Sequence, residues 1–86
     1  MAWLLLGTEG CHLCDDARQV LVSLAGYIRV DVFEQDIVEH SEWLEQFAQR
    51  IPVLLDEASG ESLDWPFNAE DVMAWQQQLL AKKEPQ

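Results

Sequence analysis

The sequence GTEGCHLCDDA, residues 7–17, contains both cysteines of the chain, separated by two residues. The apolar run Trp3 to Leu6 directly precedes it and is typical of a short strand that is buried on both faces. Gly7, Thr8, Glu9 and Gly10 then have the composition of a tight turn. This stretch therefore predicts a buried strand that leads through a turn to the two cysteines.

The residues after the turn have the periodicity of an amphipathic helix. Apolar side chains recur at intervals of three and four residues, which places them on one helix face. That face is formed by Leu13, Ala17, Val20, Leu21 and Leu24. Gly26 follows and is suited to end the helix. Cys11 and Cys14 are therefore predicted at the N-terminus of the first helix.

The middle of the chain predicts a second strand and a second helix. Residues 27–33 are rich in β-branched and aromatic side chains, with Ile28, Val30 and Val32 on the buried face. Asp36 and Glu39 have the spacing of a capping box that would begin the helix. Its expected buried face consists of Ile37, Leu44, Phe47 and Ala48. The helix should stop before Pro52, because proline disfavours the helical conformation of the preceding residue.

The last third of the chain predicts a hairpin and a final helix. VLLD (53–56) and ESLD (61–64) flank EASG, which favours two short strands joined by a tight loop. Asn68, with Asp71 three residues later, is a suitable N-cap for a helix. That helix would bury Val72, Trp75 and Leu79.

These elements define an α/β fold in the order β-α-β-α-β-β-α. A right-handed crossover between parallel strands, followed by an antiparallel hairpin, gives a four-stranded mixed sheet with helices on both faces. A chain of 86 residues has room for one core, so residues 1–82 are expected to form one domain and residues 83–86 a flexible tail.

The charge of the chain limits its partners. Sixteen acidic residues against five basic ones give a net charge of −11, which disfavours nucleic acid and anionic membranes. Solubility is the simplest consequence, and steering towards basic partner surfaces is the functional alternative. MAWLLLG is too short for a signal-peptide core or a membrane span. We therefore expect a cytoplasmic monomer, in a compartment that keeps thiols reduced.

The cysteine pair has the spacing of a redox pair. Unpaired amides at a helix N-terminus favour a thiolate, so the pKa of Cys11 is expected below that of a free thiol. Cys14 lies about one turn further on and could resolve a mixed disulfide formed at Cys11. A protonated His12 would act in the same sense as the helix dipole, and Glu9 with the two aspartates after Cys14 would oppose it.

Two other interpretations of the cysteines remain open. A zinc site needs four ligands, and His12 and His40 lack the spacing to complete one, so no metal is expected within one chain. A cluster shared between two chains would meet the ligand requirement. Alternatively, the cysteines are two small buried residues without chemistry.

Taken together, these motifs resemble the glutaredoxin-like branch of the thioredoxin-fold proteins. The similarity covers nearly the whole chain and depends on WLLLG, the CHLC pair and RIPVLLD, followed by a hairpin and a last helix. It implies a thioredoxin-like fold in which Pro52 is cis and lies against the cysteines. It also implies that the backbone of Ile51, unused by the sheet, pairs with an extended substrate strand.

The chain departs from that family where glutathione would bind. The family has a basic residue before the first cysteine and a glycine pair before the last helix, whereas this chain has Glu9 and the segment DWPFN. Glutathione is therefore a doubtful reductant, and no cofactor is expected. Arg50 is the basic group expected near the site. Trp65 is either core or part of an apolar surface that suits a protein partner.

Two functions follow from the sequence. The first is a small thiol-disulfide oxidoreductase in which Cys11 attacks, Cys14 resolves, and His12, Arg50, Ile51, Pro52 and Trp65 contact the substrate. The substrate would be a disulfide-bearing protein or a small thiol. The second is a non-catalytic redox sensor or adaptor that binds a protein partner through the same surface.

Overall fold

The computed structural model describes residues 2–83 and consists of one four-stranded sheet with helices on both faces. The strand order is β2-β1-β3-β4, with β1 parallel to β2 and antiparallel to β3. The elements are β1 (Ala2–Gly7), α1 (His12–Ser23), β2 (Asp31–Asp36), α2 (Ser41–Phe47), β3 (Val53–Asp56), β4 (Ser62–Asp64) and α3 (Ala69–Lys83). The predicted β-α-β-α-β-β-α order and mixed sheet are confirmed.

The central strand β1 is buried on both faces, as its continuous apolar run predicted. Trp3 and Leu5 face the helices α1 and α3, where they join a core that includes Leu21 and Trp75. The alternate residues of β1 face the opposite side of the sheet, where a smaller core includes Ile37 and Phe47. The period-two alternation of the strand thus assigns α1 and α3 to one face and α2 to the other.

Helix α1 begins with the cysteine pair, as predicted. Ala17, Leu21 and Leu24 are buried. Leu13, in contrast, is 49% exposed, so its predicted place in the core is wrong. Leu13 belongs to the first turn of α1, between the two cysteines in sequence, and its side chain remains on the surface.

Strand β2 begins later than the sequence predicted. The expected strand covered residues 27–33, whereas β2 spans Asp31–Asp36. The side chain of Gln76 in α3, which is 2% exposed, accepts a hydrogen bond from the Arg29 N–H and donates one to the Tyr27 carbonyl. These bonds hold residues 27–29 against α3, so their backbone groups do not pair with a strand of the sheet. The inward direction of Ile28, Val30 and Val32 is confirmed, because all three pack against the core.

The second helix also differs from its prediction. Asp36 accepts a hydrogen bond from the Val38 N–H and begins a single 3₁₀ turn, Ile37–Glu39, before α2 begins at Ser41. The break reorients the chain, so the buried face is not continuous. Ile37 and Phe47 are buried as expected, but Leu44 and Ala48 are exposed. Their predicted burial assumed one uninterrupted helix, which the 3₁₀ turn excludes.

The hairpin and the last helix agree with the sequence. β3 and β4 pair through Val53–Asp64, Leu54–Leu63 and Leu55–Ser62. Asn68 and Asp71 cap α3 reciprocally, each side chain accepting the backbone N–H of the other. α3 includes Lys83, which the sequence analysis assigned to the tail, and residues 84–86 lie outside the described residues. No helix within residues 2–83 has the length and apolarity needed to cross a bilayer.

Candidate functional site

The two cysteines form a disulfide at the N-terminus of α1. Their Cα atoms are 5.2 Å apart. Cys11 is the N-cap residue in an extended conformation, and its Sγ accepts a hydrogen bond of 3.1 Å from the Cys14 N–H. A sulfur at this position takes the place that a serine or aspartate oxygen occupies in other helix caps. The helix start therefore holds the Cys11 sulfur with a backbone donor aimed at it.

The two sulfur-bearing side chains differ in exposure. Cys11 is partly exposed, whereas Cys14 is 5% exposed and packs under the helix start. His12 lies between them in sequence and is exposed on the first turn of α1. An incoming disulfide would therefore meet the sulfur of Cys11 before that of Cys14.

Two glycines shape the β1–α1 turn that precedes the disulfide. Gly10 has a φ of +77°, a conformation that glycine adopts far more readily than other residues. Gly7 packs directly on Cys14, since a Cβ at position 7 would lie 2.8 Å from the Cys14 sulfur. The sequence predicted Gly7 as part of the turn, whereas Gly7 is the last residue of β1. A glycine that ends a buried strand before a cysteine pair is a usable signal of close packing.

Pro52 lies at the same end of the sheet as the disulfide. The Ile51–Pro52 peptide is cis, as the resemblance implied, and Pro52 is fully buried. Leu6 pairs with Val53, and one further step along this register brings Pro52 level with Gly7. The glycine that touches Cys14 and the proline before β3 therefore occupy neighbouring ends of adjacent strands.

The backbone of Ile51 is only partly available. Its N–H donates a hydrogen bond of 3.1 Å to the Phe47 carbonyl at the end of α2. The expectation that this N–H is free for a substrate strand is therefore wrong, because the helix end uses it. Within residues 2–83, no backbone N–H donates to the Ile51 carbonyl, so this oxygen can accept a hydrogen bond from a partner.

Trp65 lies beside Pro52, and its N–H donates a hydrogen bond of 3.1 Å to the Pro52 carbonyl. Its half-buried side chain packs on the core and meets Phe67 edge to face, with 5.1 Å between ring centroids. Phe67 is 4% exposed and is core. The Trp65–Pro66 peptide is also cis, which the sequence analysis did not predict. The structure thus brings Trp65, but not Phe67, to the surface near Pro52.

Arg50 is held by Asp64 in β4. The guanidinium donates to both carboxylate oxygens, at 2.9 and 2.7 Å, and lies over the Phe47 ring at 4.8 Å. These hydrogen bonds raise the pKa of Arg50 above its ordinary value. The side chain therefore joins the α2–β3 connection to β4, and its charge is already matched by a carboxylate.

An acidic groove of about 410 Å³ opens beside Cys14. It is lined by Gly7, Glu9, Cys14, Arg18, Glu34 and Asp36, among others. Arg18 donates to Glu34 at 2.8 and 2.6 Å and to Asp15 at 2.7 Å, which raises the pKa of Arg18 above its ordinary value. The sequence did not predict Arg18, Glu34 and Asp36 as site residues. Arg18 lies on α1 and the two carboxylates on β2, and the parallel β1–β2 pairing brings them together.

Metal binding has no further support in the described part of the chain. Residues 2–83 contain no group of three or more His, Cys, Asp or Glu side chains placed to hold a metal ion. The cysteines are bonded to each other, and redox chemistry between sulfurs is what their arrangement provides for directly.

The comparison with known proteins agrees with the fold and the cysteine pair. The model of the Glutaredoxin-like domain (DUF836) family matches residues 3–77. The fold and site define a small thioredoxin-fold protein with a cysteine pair at its first helix. The chain belongs to the glutaredoxin-like domain family. No curated protein matches the sequence.

Solved structures support the same assignment. The X-ray structure of target protein XcR50 from X. campestris is 32% identical, with a TM-score of 0.75, and the match covers 88% of this chain and 96% of that one. Protein Ne2328 from Nitrosomonas europaea is 21% identical, with a TM-score of 0.74 and coverages of 86% and 88%. Thioredoxin 1 from Thermosipho africanus is 14% identical, with a TM-score of 0.68 and coverages of 95% and 97%. The last two similarities concern the fold alone.

Proposed function

We propose that the protein is a small thiol-disulfide oxidoreductase in which Cys11 is the nucleophile and Cys14 the resolving thiol. The observation that carries this proposal is the hydrogen bond of 3.1 Å from the Cys14 N–H to the Cys11 sulfur at the start of α1. After reduction of the disulfide, the same amide and the helix dipole would stabilise negative charge on that sulfur. The greater exposure of Cys11 supports the same assignment of roles.

The reaction is a two-electron exchange between sulfurs. The Cys11 thiolate attacks one sulfur of the substrate disulfide, which forms a mixed disulfide and releases the other sulfur as a thiolate. The Cys14 thiol loses its proton and attacks the Cys11 sulfur, which forms the intramolecular disulfide and releases the second substrate thiol. The protein loses two electrons and the Cys14 proton. The substrate gains the two electrons and leaves as one thiol and one thiolate, which takes its proton from water. An external thiol or dithiol then regenerates the reduced protein.

The substrate would be oriented by the residues at the end of the sheet. The Ile51 carbonyl accepts a hydrogen bond from the substrate backbone, and Trp65 provides apolar contact beside it. Pro52, which is fully buried, orients the substrate indirectly by fixing the Ile51 backbone. His12 contacts the substrate from the first turn of α1. Arg50 is the weakest member of this set, because Asp64 already occupies its guanidinium.

The test is the reduction of bis(2-hydroxyethyl) disulfide by the reduced protein. The Cys11→Ser variant should lose all activity above background, and Cys14→Ser should accumulate a mixed disulfide at Cys11 that mass spectrometry detects. Glu57→Gln is the control, because Glu57 lies at the opposite end of β1, where its N–H donates a hydrogen bond to the Ala2 carbonyl. This variant should retain the parent rate. Parent-like rates in both cysteine variants would refute the proposal.

The non-catalytic sensor or adaptor is the competing function. An exposed Trp65 or Phe67 beside a buried, unreactive Cys11 would favour it. Trp65 is half-buried and reaches the surface, but Cys11 is partly exposed and Phe67 is core. Alkylation of the folded, reduced protein separates the two functions. Fast modification confined to Cys11 is expected for the enzyme, and equally slow modification of both cysteines for the adaptor.

The electron donor is the remaining part of the proposal. The acidic turn before Cys11 disfavours glutathione, which carries carboxylates, so we propose a donor that is not a small anion. We also propose that the protein acts as a monomer in the cytoplasm. A reducing compartment would return the disulfide to the dithiol form that reacts with substrate. Incubating the oxidised protein with either glutathione or a thioredoxin-reductase system, and measuring free thiols, distinguishes the donors.

A further inference from the structure

The groove beside Cys14 has an excess of negative charge that belongs to the site itself. Three carboxylates, those of Glu9, Glu34 and Asp36, line the groove together with one guanidinium, Arg18. Cys14, the disulfide partner of Cys11, lines it as well, so these charges lie next to the cysteine pair. The groove therefore adjoins the reacting sulfurs and is not an isolated acidic patch.

The single cation of the groove is already neutralised. Arg18 donates hydrogen bonds to Glu34 and also to Asp15, a fourth carboxylate at the groove margin. One guanidinium thus faces two carboxylates, which leaves a net negative charge even within this cluster. The positive charge of Arg18 is therefore already compensated and gives the groove little attraction for an anion.

Glu9 contributes a charge without a partner. It is exposed in the β1–α1 turn, two residues before Cys11, and no side chain within residues 2–83 forms a hydrogen bond or ion pair with it. One carboxylate oxygen of Asp36 accepts a hydrogen bond from the Val38 N–H. This donor is uncharged, so the negative charge of Asp36 is not neutralised. Glu9 and Asp36 therefore give the groove two formal negative charges beyond the Arg18 cluster.

We infer that the groove selects the charge of the substrate and that the substrate disulfide lies in a basic polypeptide segment, with Glu9 as the main selectivity residue. This inference rests on the proposed function, since it concerns the partner in the same exchange reaction. A lysine or arginine beside the substrate cysteine meets the groove while its sulfur meets Cys11. A carboxylate at that place is repelled, so the groove also disfavours anionic thiols as reaction partners.

The experiment compares three small disulfides that differ mainly in charge. Cystamine is a dication, bis(2-hydroxyethyl) disulfide is neutral, and dithiodipropionate is a dianion. For each disulfide, the rate constant for oxidation of the reduced protein is divided by the rate constant for oxidation of dithiothreitol. This ratio removes differences in the intrinsic reactivity of the three disulfides. We expect a normalised preference of about tenfold for cystamine over dithiodipropionate at low salt. Raising the salt from about 0.01 M to about 1 M should abolish it.

Matched charge reversals separate the groove from the net charge. Glu9→Lys and Glu57→Lys change the total charge equally, but Glu57 lies beyond the far end of β1, roughly 17 Å away along the strand. At about 0.15 M salt this exceeds the screening length. Glu9→Lys should reduce the preference for cystamine about fivefold, and Glu57→Lys should leave it within about 1.5-fold of the parent.

The measurements on the parent and the two charge reversals are repeated with two peptide substrates. Each peptide has one cysteine in a mixed disulfide with a neutral thiol, and this cysteine is flanked by lysines in one peptide and by glutamates in the other. A preference for the lysine peptide that Glu9→Lys removes supports the inference. Equal rates for both peptides, or equal effects of the two reversals, would overturn it while leaving the oxidoreductase intact. Failure to reduce even the neutral disulfide would instead overturn the proposed function, so the two failures are distinguishable.

Discussion

The β1–α1 connection and the α2–β3 connection lie side by side at one end of the sheet, but different interactions hold them in place. In the first, Gly10 takes a left-handed conformation and Cys11 caps α1 with its own sulfur. In the second, the Phe47 ring is buried and its carbonyl accepts the N–H groups of Arg50 and Ile51. The first depends on neighbours in sequence, and the second on a buried side chain.

This difference separates reactivity from stability. The β1–α1 connection contains Cys11 and leads directly to Cys14, so changes in it should alter thiol chemistry more than unfolding. The α2–β3 connection contributes to the smaller core on the α2 side, so changes in it should alter unfolding more than thiol chemistry. Four substitutions test this contrast, from the largest expected effect on the free energy of unfolding to the smallest.

Phe47→Ala should have the largest effect. Phe47 is 3% exposed, and truncation of a buried phenylalanine typically lowers the free energy of unfolding by about 3–4 kcal/mol. Urea denaturation of the oxidised protein measures this loss. Phe47→Leu keeps most of the volume and should lose less than half as much. A loss below about 1 kcal/mol for Phe47→Ala would show that the α2 side contributes little to stability.

Gly7→Ala should have an intermediate effect on stability and a direct effect on the cysteines. The added Cβ would lie 2.8 Å from the Cys14 sulfur, and overpacking of this kind costs about 2 kcal/mol. A double-mutant cycle with Cys14→Ala removes the sulfur and should relieve at least half of that cost. Equal costs in both backgrounds would mean that the close approach to Cys14 is not the cause.

Asn68→Ala extends the comparison to a third connection, which like the first is held by local hydrogen bonds. Loss of the Asn68 side chain removes the acceptor of the Asp71 N–H at 2.8 Å, and loss of an N-cap costs about 1 kcal/mol. Asn68→Ser retains a capping oxygen and should recover most of the stability. Urea denaturation measures this loss, and equal losses for Asn68→Ala and Asn68→Ser would show that the capping oxygen is not the cause.

The sequence predicted the parts of the molecule that depend on local rules. A buried strand, a glycine turn and two cysteines at a helix start follow from apolar periodicity and turn composition in one short stretch. The Asn68–Asp71 cap follows from side chains that are three residues apart. The signals for these elements, which are apolar periodicity, turn composition and capping side chains, come from residues close together in sequence, which is why local patterns were sufficient to predict them.

The elements that were mispredicted depend on distant side chains. Residues 27–29 have strand composition, but Gln76 from α3 takes their hydrogen bonds and displaces the start of β2. Asp36 has the spacing of a capping box, yet its hydrogen bond closes a separate 3₁₀ turn before α2. The acidic groove could not be assembled from sequence for the same reason, since Glu9 and Glu34 meet only through the β1–β2 pairing.

Arg50→Lys should have the smallest effect and sharpens the account of the α2–β3 connection. Lysine cannot form the two-pronged contact with Asp64, but the pair is exposed, so the expected loss is about 0.5 kcal/mol. Because Asp64 raises the pKa of Arg50, the pair's contribution is complete below the ordinary pKa of arginine and is lost only as pH rises through the raised value. The loss should therefore be constant between about pH 6 and 9. Arg29→Lys is the matched control and should change the free energy of unfolding by less than about 0.3 kcal/mol. An equal loss in both variants would show that the contact with Asp64 does not hold this connection.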